Sequence, residues 1–285
     1  MVEEDVEVAP PTLPDGPILL AGSLSGDSAV LSVVGAVRGD ALAPLPSEEE
    51  SPGFFSHFTR TLLPPGTEMV LFSEGVRVGR LTVATTGEDT RFCVPRPQVS
   101  GVVEMVPGAS AARRVLALLD TAASHRAYGA FRTWTHDYDQ RVASLALATE
   151  AIPVVGAEWP SSLLDSRADI QVFRLPEASG PTVAATFIEG DRLAVSTPGA
   201  GAYALLVMGT LQGGEYRASF TGFRPADREG KGAPRYFAHL DWDGDGDSEV
   251  LLDVFGAESR WYAALGQRSG GWVQTYQDPC GEPRR

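Results

Sequence analysis

Nine short apolar runs follow one another through the last two-fifths of the chain, at residues 170–175, 183–188, 193–196, 203–208, 216–220, 236–240, 250–255, 261–265 and 272–276. Gly, Pro or Asp residues break most of the intervals, so no helix of ordinary length can form there and strands joined by turns are expected. Because the turns are mostly short, the pairing should be antiparallel; a parallel pair needs a long crossover. In the last run Trp272, Val273, Gln274, Thr275 and Tyr276 alternate in polarity, which predicts a strand with one wet face.

The N-terminal part carries the same signals at 17–21, 29–37, 69–72, 76–84 and 99–106, with Glu74-Gly75 as the turn of a hairpin. Residues 38–65 are rich in Pro and acid and read as a long loop. The period then changes. Val115, Leu116, Leu119 and Ala122 fall on one side of a helix over 111–123 with Ser110 as N-cap, and Val142, Leu145, Ala146 and Thr149 do the same over 139–151 before Pro153 stops it. The fold class expected is α+β, mainly antiparallel β (a meander, sandwich or set of blade-like sheets), with a central pair of helices. The division expected is a flexible leader (1–16), an N-terminal β region (17–107), a helical block (108–152) and a C-terminal β region (153–285).

The 285 residues carry 23 basic and 37 acidic side chains, a formal charge of -14 that repels phosphate backbones and anionic lipid headgroups. Nucleic acid is therefore excluded as a partner, and no run is long and apolar enough for a transmembrane segment. Residues 1–16 are acidic and Pro-rich, like the tether that follows a removed signal peptide or lipid anchor, and the expectation is a secreted, periplasmic or cell-surface protein. A frayed cytoplasmic terminus is the alternative. Cys93 and Cys280 match no zinc or nucleophile motif; one disulfide and two unpaired thiols both stay open.

Five carboxylates crowd into nine residues at Asp241, Asp243, Asp245, Asp247 and Glu249, with Gly244 and Gly246 between them. Alternate acids converge when the backbone coils, and Gly246 at the sixth position permits the sharp turn that a calcium loop needs. An EF-hand starting at Asp241 would require a carboxylate at its twelfth position, where Leu252 stands, and flanking helices, where strands are expected. A shorter loop closed by Glu249 fits instead. The segment resembles the calcium-binding hairpin of the FG-GAP and VCBS repeat families, whose loop runs Asp-x-Asp-x-Asp-Gly-x-x-Asp/Glu into an aliphatic strand; the resemblance covers about 236–276. It implies Ca2+ ligated by the side chains of Asp241, Asp243 and Asp245, the backbone carbonyl of Asp247, and the carboxylate of Glu249. One such loop without a series of blades does not carry propeller architecture with it.

Other chemistry is faint. His136, Asp137 and Asp139 lie within four residues, yet an N-cap for the next helix explains the acids. Gly22-Ser23-Leu24-Ser25-Gly26 lacks the spacing of a nucleophile elbow, and Gly199-Ala200-Gly201-Ala202 precedes a strand and reads as a turn. His239 is expected to be a satisfied structural histidine and Trp242 to pack against a neighbouring strand. No catalytic or cofactor-binding residue is assigned. The function expected is an extracytoplasmic calcium-binding structural or binding protein whose partner is a protein or glycan ligand or a second copy; the alternatives are a subunit of a cell-surface assembly or filament, and an extracytoplasmic hydrolase.

Overall fold

A computed structural model describes residues 10–123, 127–227, 230–268 and 271–279. Strands β1 (Ile18–Ser25), β2 (Ser28–Arg38), β3 (Ala41–Ala43), β4 (Glu68–Ser73), β5 (Val76–Asp89), β6 (Arg96–Met105) and β7 (Arg114–Leu119) form one antiparallel sheet in the order β1-β7-β4-β5-β6-β2-β3. Because β1 also pairs with β2, six of these strands close into a barrel without free edges. Its interior holds Leu20, Leu31, Leu71, Leu81 and Val115, and helix α1 (Phe54–Leu62) packs Phe54 and Phe58 into the same cluster. Closure brings backbones close together. A Cβ on Gly101 would lie 2.1 Å from the Thr82 carbonyl oxygen, so only glycine fits there.

Helices α2 (Tyr138–Val155) and α3 (Leu163–Ser166) lead into a second sheet, β8 (Arg167–Phe173), β9 (Thr182–Glu189), β10 (Tyr203–Gln212) and β11 (Glu215–Pro225), in the order β11-β10-β9-β8. The third sheet is a meander of β12 (Ala233–Leu240), β13 (Glu249–Phe255), β14 (Arg260–Arg268) and β15 (Gly271–Gln277). This third sheet lies in the middle of the molecule. Leu251, Tyr262 and Ala264 face Leu19, Val70 and Leu116 on the outside of the barrel, while Val250, Leu252, Trp261 and Ala263 face Phe173, Leu206 and Met208 of the second sheet. On the far side of the second sheet, Leu147, Ala148 and Ile152 of α2 cover Phe187 and Leu205. The N-terminal and C-terminal β regions thus share a core through the middle sheet. Among the described residues no helix is long and apolar enough to cross a membrane.

The mainly antiparallel β character is as the turn spacing predicts, but the helices fall differently. Residues 111–123 form no α-helix, only a 3-10 turn at Asp120–Ala122: β7 lies between β1 and β4 and is apolar on both faces, Val115 and Ala117 inward and Leu116 and Leu118 outward. A doubly buried strand loses the alternation that would distinguish it from a helix. The other helix forms and continues through Pro153 to Gly156, which takes the left-handed conformation (φ 71°) that ends it. Residues 38–65, read as loop, contain β3 and α1. Residues 193–196 form no strand. The Glu74-Gly75 turn is as expected, with positive φ at both residues (51° and 70°).

Candidate metal centre

The acidic segment joins β12 to β13, and the register Leu240↔Glu249 brings its two ends side by side. Gly244 (φ 84°) and Gly246 (φ 105°) turn the chain inward so that their N–H groups donate to Asp241 Oδ1 at 2.6 Å and Oδ2 at 3.1 Å. The Asp245 N–H donates to Asp243 Oδ1 at 3.1 Å, and the Asp247 N–H to Asp245 Oδ1 at 2.8 Å. These contacts leave three carboxylates, Asp241, Asp243 and Glu249, able to place one oxygen each within 4.8 Å of the others. Asp245 and Asp247 are exposed and lie outside that group.

Glu249 is the least accessible acid of the set, 1% exposed. Its Oε2 accepts the Trp242 N–H at 3.1 Å, and no arginine or lysine ion-pairs with it among the described residues. Burial, reinforced by Asp243, Asp241 and Asp245, pushes its carboxyl up to about 9. Burial also raises Asp243, with Asp245 and Asp241 adding to it. Three carboxylates held this close could each offer one oxygen to a hard cation. Trp242 is 2% exposed and packs between the barrel and the middle sheet, which anchors the loop's first turn.

Glu177, which no motif points to, supports the loop from the β8–β9 connection. Its carboxylate accepts the Ser248 N–H at 3.3 Å, the Ser248 hydroxyl at 3.2 Å and Gln267 Nε2 at 3.0 Å. His239 is fully buried and has the hydrogen-bond partner expected, its Nδ1 lying 2.7 Å from the Tyr236 hydroxyl, while its Nε2 is buried without one among the described residues; burial holds it down to about 4, so it stays neutral. Close to it, burial drives Glu74 up to about 7 against the opposing charge of Arg114. Asp137 caps α2: it accepts the Gln140 N–H at 2.9 Å, and Gln140 Oε1 accepts the Asp137 N–H at 2.9 Å. Cys93 is held in a disulfide; the chain's other cysteine, Cys280, lies outside the described residues, as do residues 1–9 of the leader.

No protein-family model matches the chain, and neither a curated protein nor a solved structure matches it.

Proposed function

We propose that the chain is an extracytoplasmic calcium-binding structural or binding protein in which Ca2+ fastens the β12–β13 hairpin. The observation that carries this reading is the convergence of Asp241 and Asp243 on the buried carboxylate of Glu249, with Gly244 and Gly246 shaping the loop around Asp241. The resemblance to the FG-GAP and VCBS calcium hairpin supports it. So does the position: the hairpin belongs to the middle sheet, so a cation there ties down the layer on which both other sheets pack. The disulfide at Cys93 supports an oxidising, extracytoplasmic compartment.

The test is a thermal melt in calcium, in magnesium and in EDTA. Calcium at a hundred times its dissociation constant contributes about 2.7 kcal/mol, a rise of roughly 5 °C for a chain of this size. Asp243→Ala should abolish that rise. A melting point indifferent to calcium in the wild-type chain overturns the reading.

A further inference from the structure

Between the outer sheet and the middle sheet, where β10 and β11 face β14 and β15, a cavity of about 490 Å³ opens to solvent. Its volume lies within the range of small-molecule sites. Trp272, at the start of β15, is partly buried against the core and lines the cavity. The cavity is also lined by Thr210, whose hydroxyl pairs with Thr182 at 2.9 Å, by Gln212, and by Gln267, which lies on β14 opposite Trp272. Ser219 contributes a buried hydroxyl with no hydrogen-bond partner among the described residues. Glu177 lines the cavity beside Gln267, the cross-strand partner of Trp272.

An aromatic face, hydroxyls and planar amides around one hollow are the groups that recognise a pyranose ring, whose C–H face stacks on indole while its hydroxyls pair with amides. The Gln267 amide is already oriented: its nitrogen donates to Glu177 at 3.0 Å, and among the described residues no hydrogen bond reaches its oxygen, which can accept from a ligand. Anionic sugars are disfavoured: no arginine or lysine lines the cavity among the described residues, Glu177 is an acid, and the chain carries a formal charge of -14.

The same Glu177 carboxylate holds Ser248, the residue that precedes the buried Glu249 of the acidic loop. One wall of the cavity is therefore braced by the metal loop. We infer that this cavity is a subsite for a neutral mono- or disaccharide, stacked on Trp272 and bounded by the Glu177–Gln267 pair that the closed loop holds in place. The inference deepens the proposed function by naming its ligand class, and only the link between ion and affinity rests on the calcium reading.

The full-length chain, labelled and applied in calcium to an array of neutral and acidic glycans, should retain neutral glycans and ignore uronic and sulfated ones. For the best neutral glycan, isothermal titration should show Trp272→Ala weakening affinity about ten-fold or more, equivalent to about 1.4 kcal/mol. Should Trp272→Ala fail to fold, Trp272→Phe, which keeps a stacking face, and Gln212→Ala, at an exposed position, serve in its place. The first should bind detectably, and the second should lose about three-fold or more. Retention of no neutral glycan, preference for acidic ones, or affinity unmoved by Trp272→Ala or Gln212→Ala overturns the subsite. Repeating the titration in EDTA separates the two readings. Weaker binding in EDTA supports the link between ion and subsite. Affinity that depends on Trp272 but not on calcium, with no calcium shift in the melt, sinks the metal reading and keeps the cavity. A calcium-dependent melt without glycan binding does the reverse.

Discussion

Arg96 of the barrel forms a buried ion pair with Asp278, a residue 182 positions further along the chain that follows the last strand of the middle sheet. Arg96 Nη1 also donates to the Val33 and Val34 carbonyls, at 2.7 Å each, and its guanidinium lies 5.0 Å from the ring centroid of Phe92 and 5.4 Å from that of Tyr262. Asp278 in turn accepts the Tyr262 N–H at 2.9 Å and the Tyr276 hydroxyl at 2.5 Å. Each charge is thus paired and hydrogen-bonded on several sides, which is the condition under which a buried ion pair is tolerated. Removing one partner strands the other. Asp278→Ala should cost about 3–5 kcal/mol in urea unfolding, whereas the double replacement Arg96→Met with Asp278→Leu should recover most of that loss. Equal losses in the single and double variants would mean that the hydrogen bonds to Val33, Val34 and Tyr262 outweigh the charge pair.

Glu249→Gln separates the two roles of the closing acid. The amide oxygen can still accept the Trp242 N–H, and without an ion the buried carboxyl, pushed up to about 9, is already uncharged at neutral pH, so the substitution is nearly isosteric and removes no charge. Stability in EDTA should therefore change by less than about 1 kcal/mol. Calcium affinity should fall about ten-fold or more, because one of the three converging carboxylates is gone. Isothermal titration with calcium checks this, and an unchanged affinity would remove Glu249 from the ligand set.

The acidic loop was partly legible, because all its pieces lie within nine residues: the turn at Gly246 and the approach of Asp241, Asp243 and Glu249 follow the spacing, whereas Asp245 and Asp247, expected in the same set, stay outside the group. Its surroundings were not. Glu177 reaches Ser248 from 71 residues away, and nothing in its own neighbourhood marks it as a brace. The barrel was hidden for a related reason. Its closure depends on β1 meeting both β2 and β7, and the Arg114–Leu119 strand carries a continuous apolar run that serves two faces and reads as a helix. Helix α1 escaped because Gly53 at its N-cap makes no side-chain bond, so the usual polar start signal is missing. Local turn chemistry, by contrast, carried through intact at Glu74-Gly75 and at the Asp137 cap.

Stability should depend on pH through Glu74. Burial raises its carboxyl from the ordinary 4.5 to about 7, with Arg114 opposing. The folded chain therefore binds this proton more tightly than the unfolded chain does. That contribution is fully present below about 4.5 and is lost as the pH rises through about 7. Unfolding free energy in EDTA should fall between pH 5 and pH 8 through Glu74, by about 2 kcal/mol, and further through Glu249, so Glu74→Gln should make the fall shallower by about 2 kcal/mol without abolishing it. An identical slope in the variant would assign the pH dependence to other groups.

Gly75 and Gly26 offer a matched pair for measuring what a close contact adds to backbone strain. Both take positive φ, 70° and 59° respectively, so alanine at either position pays the left-handed conformational cost of about 1 kcal/mol. At Gly26 a Cβ would meet nothing within 4 Å. At Gly75 it would lie 2.8 Å from His239 Nε2 and 3.0 Å from Cδ2. The imidazole has little room to retreat: it is fully buried, bonded through Nδ1 to the Tyr236 hydroxyl, and packed against the Phe173 ring at 5.3 Å between centroids. Gly26→Ala should therefore destabilise the chain by about 1 kcal/mol, and Gly75→Ala by about 2–4 kcal/mol. Denaturant unfolding of both variants reads the difference directly. Equal losses would mean that the β4–β5 turn can lift away from His239, and that the contact between the barrel and the middle sheet is looser there than the packing around Tyr236 implies.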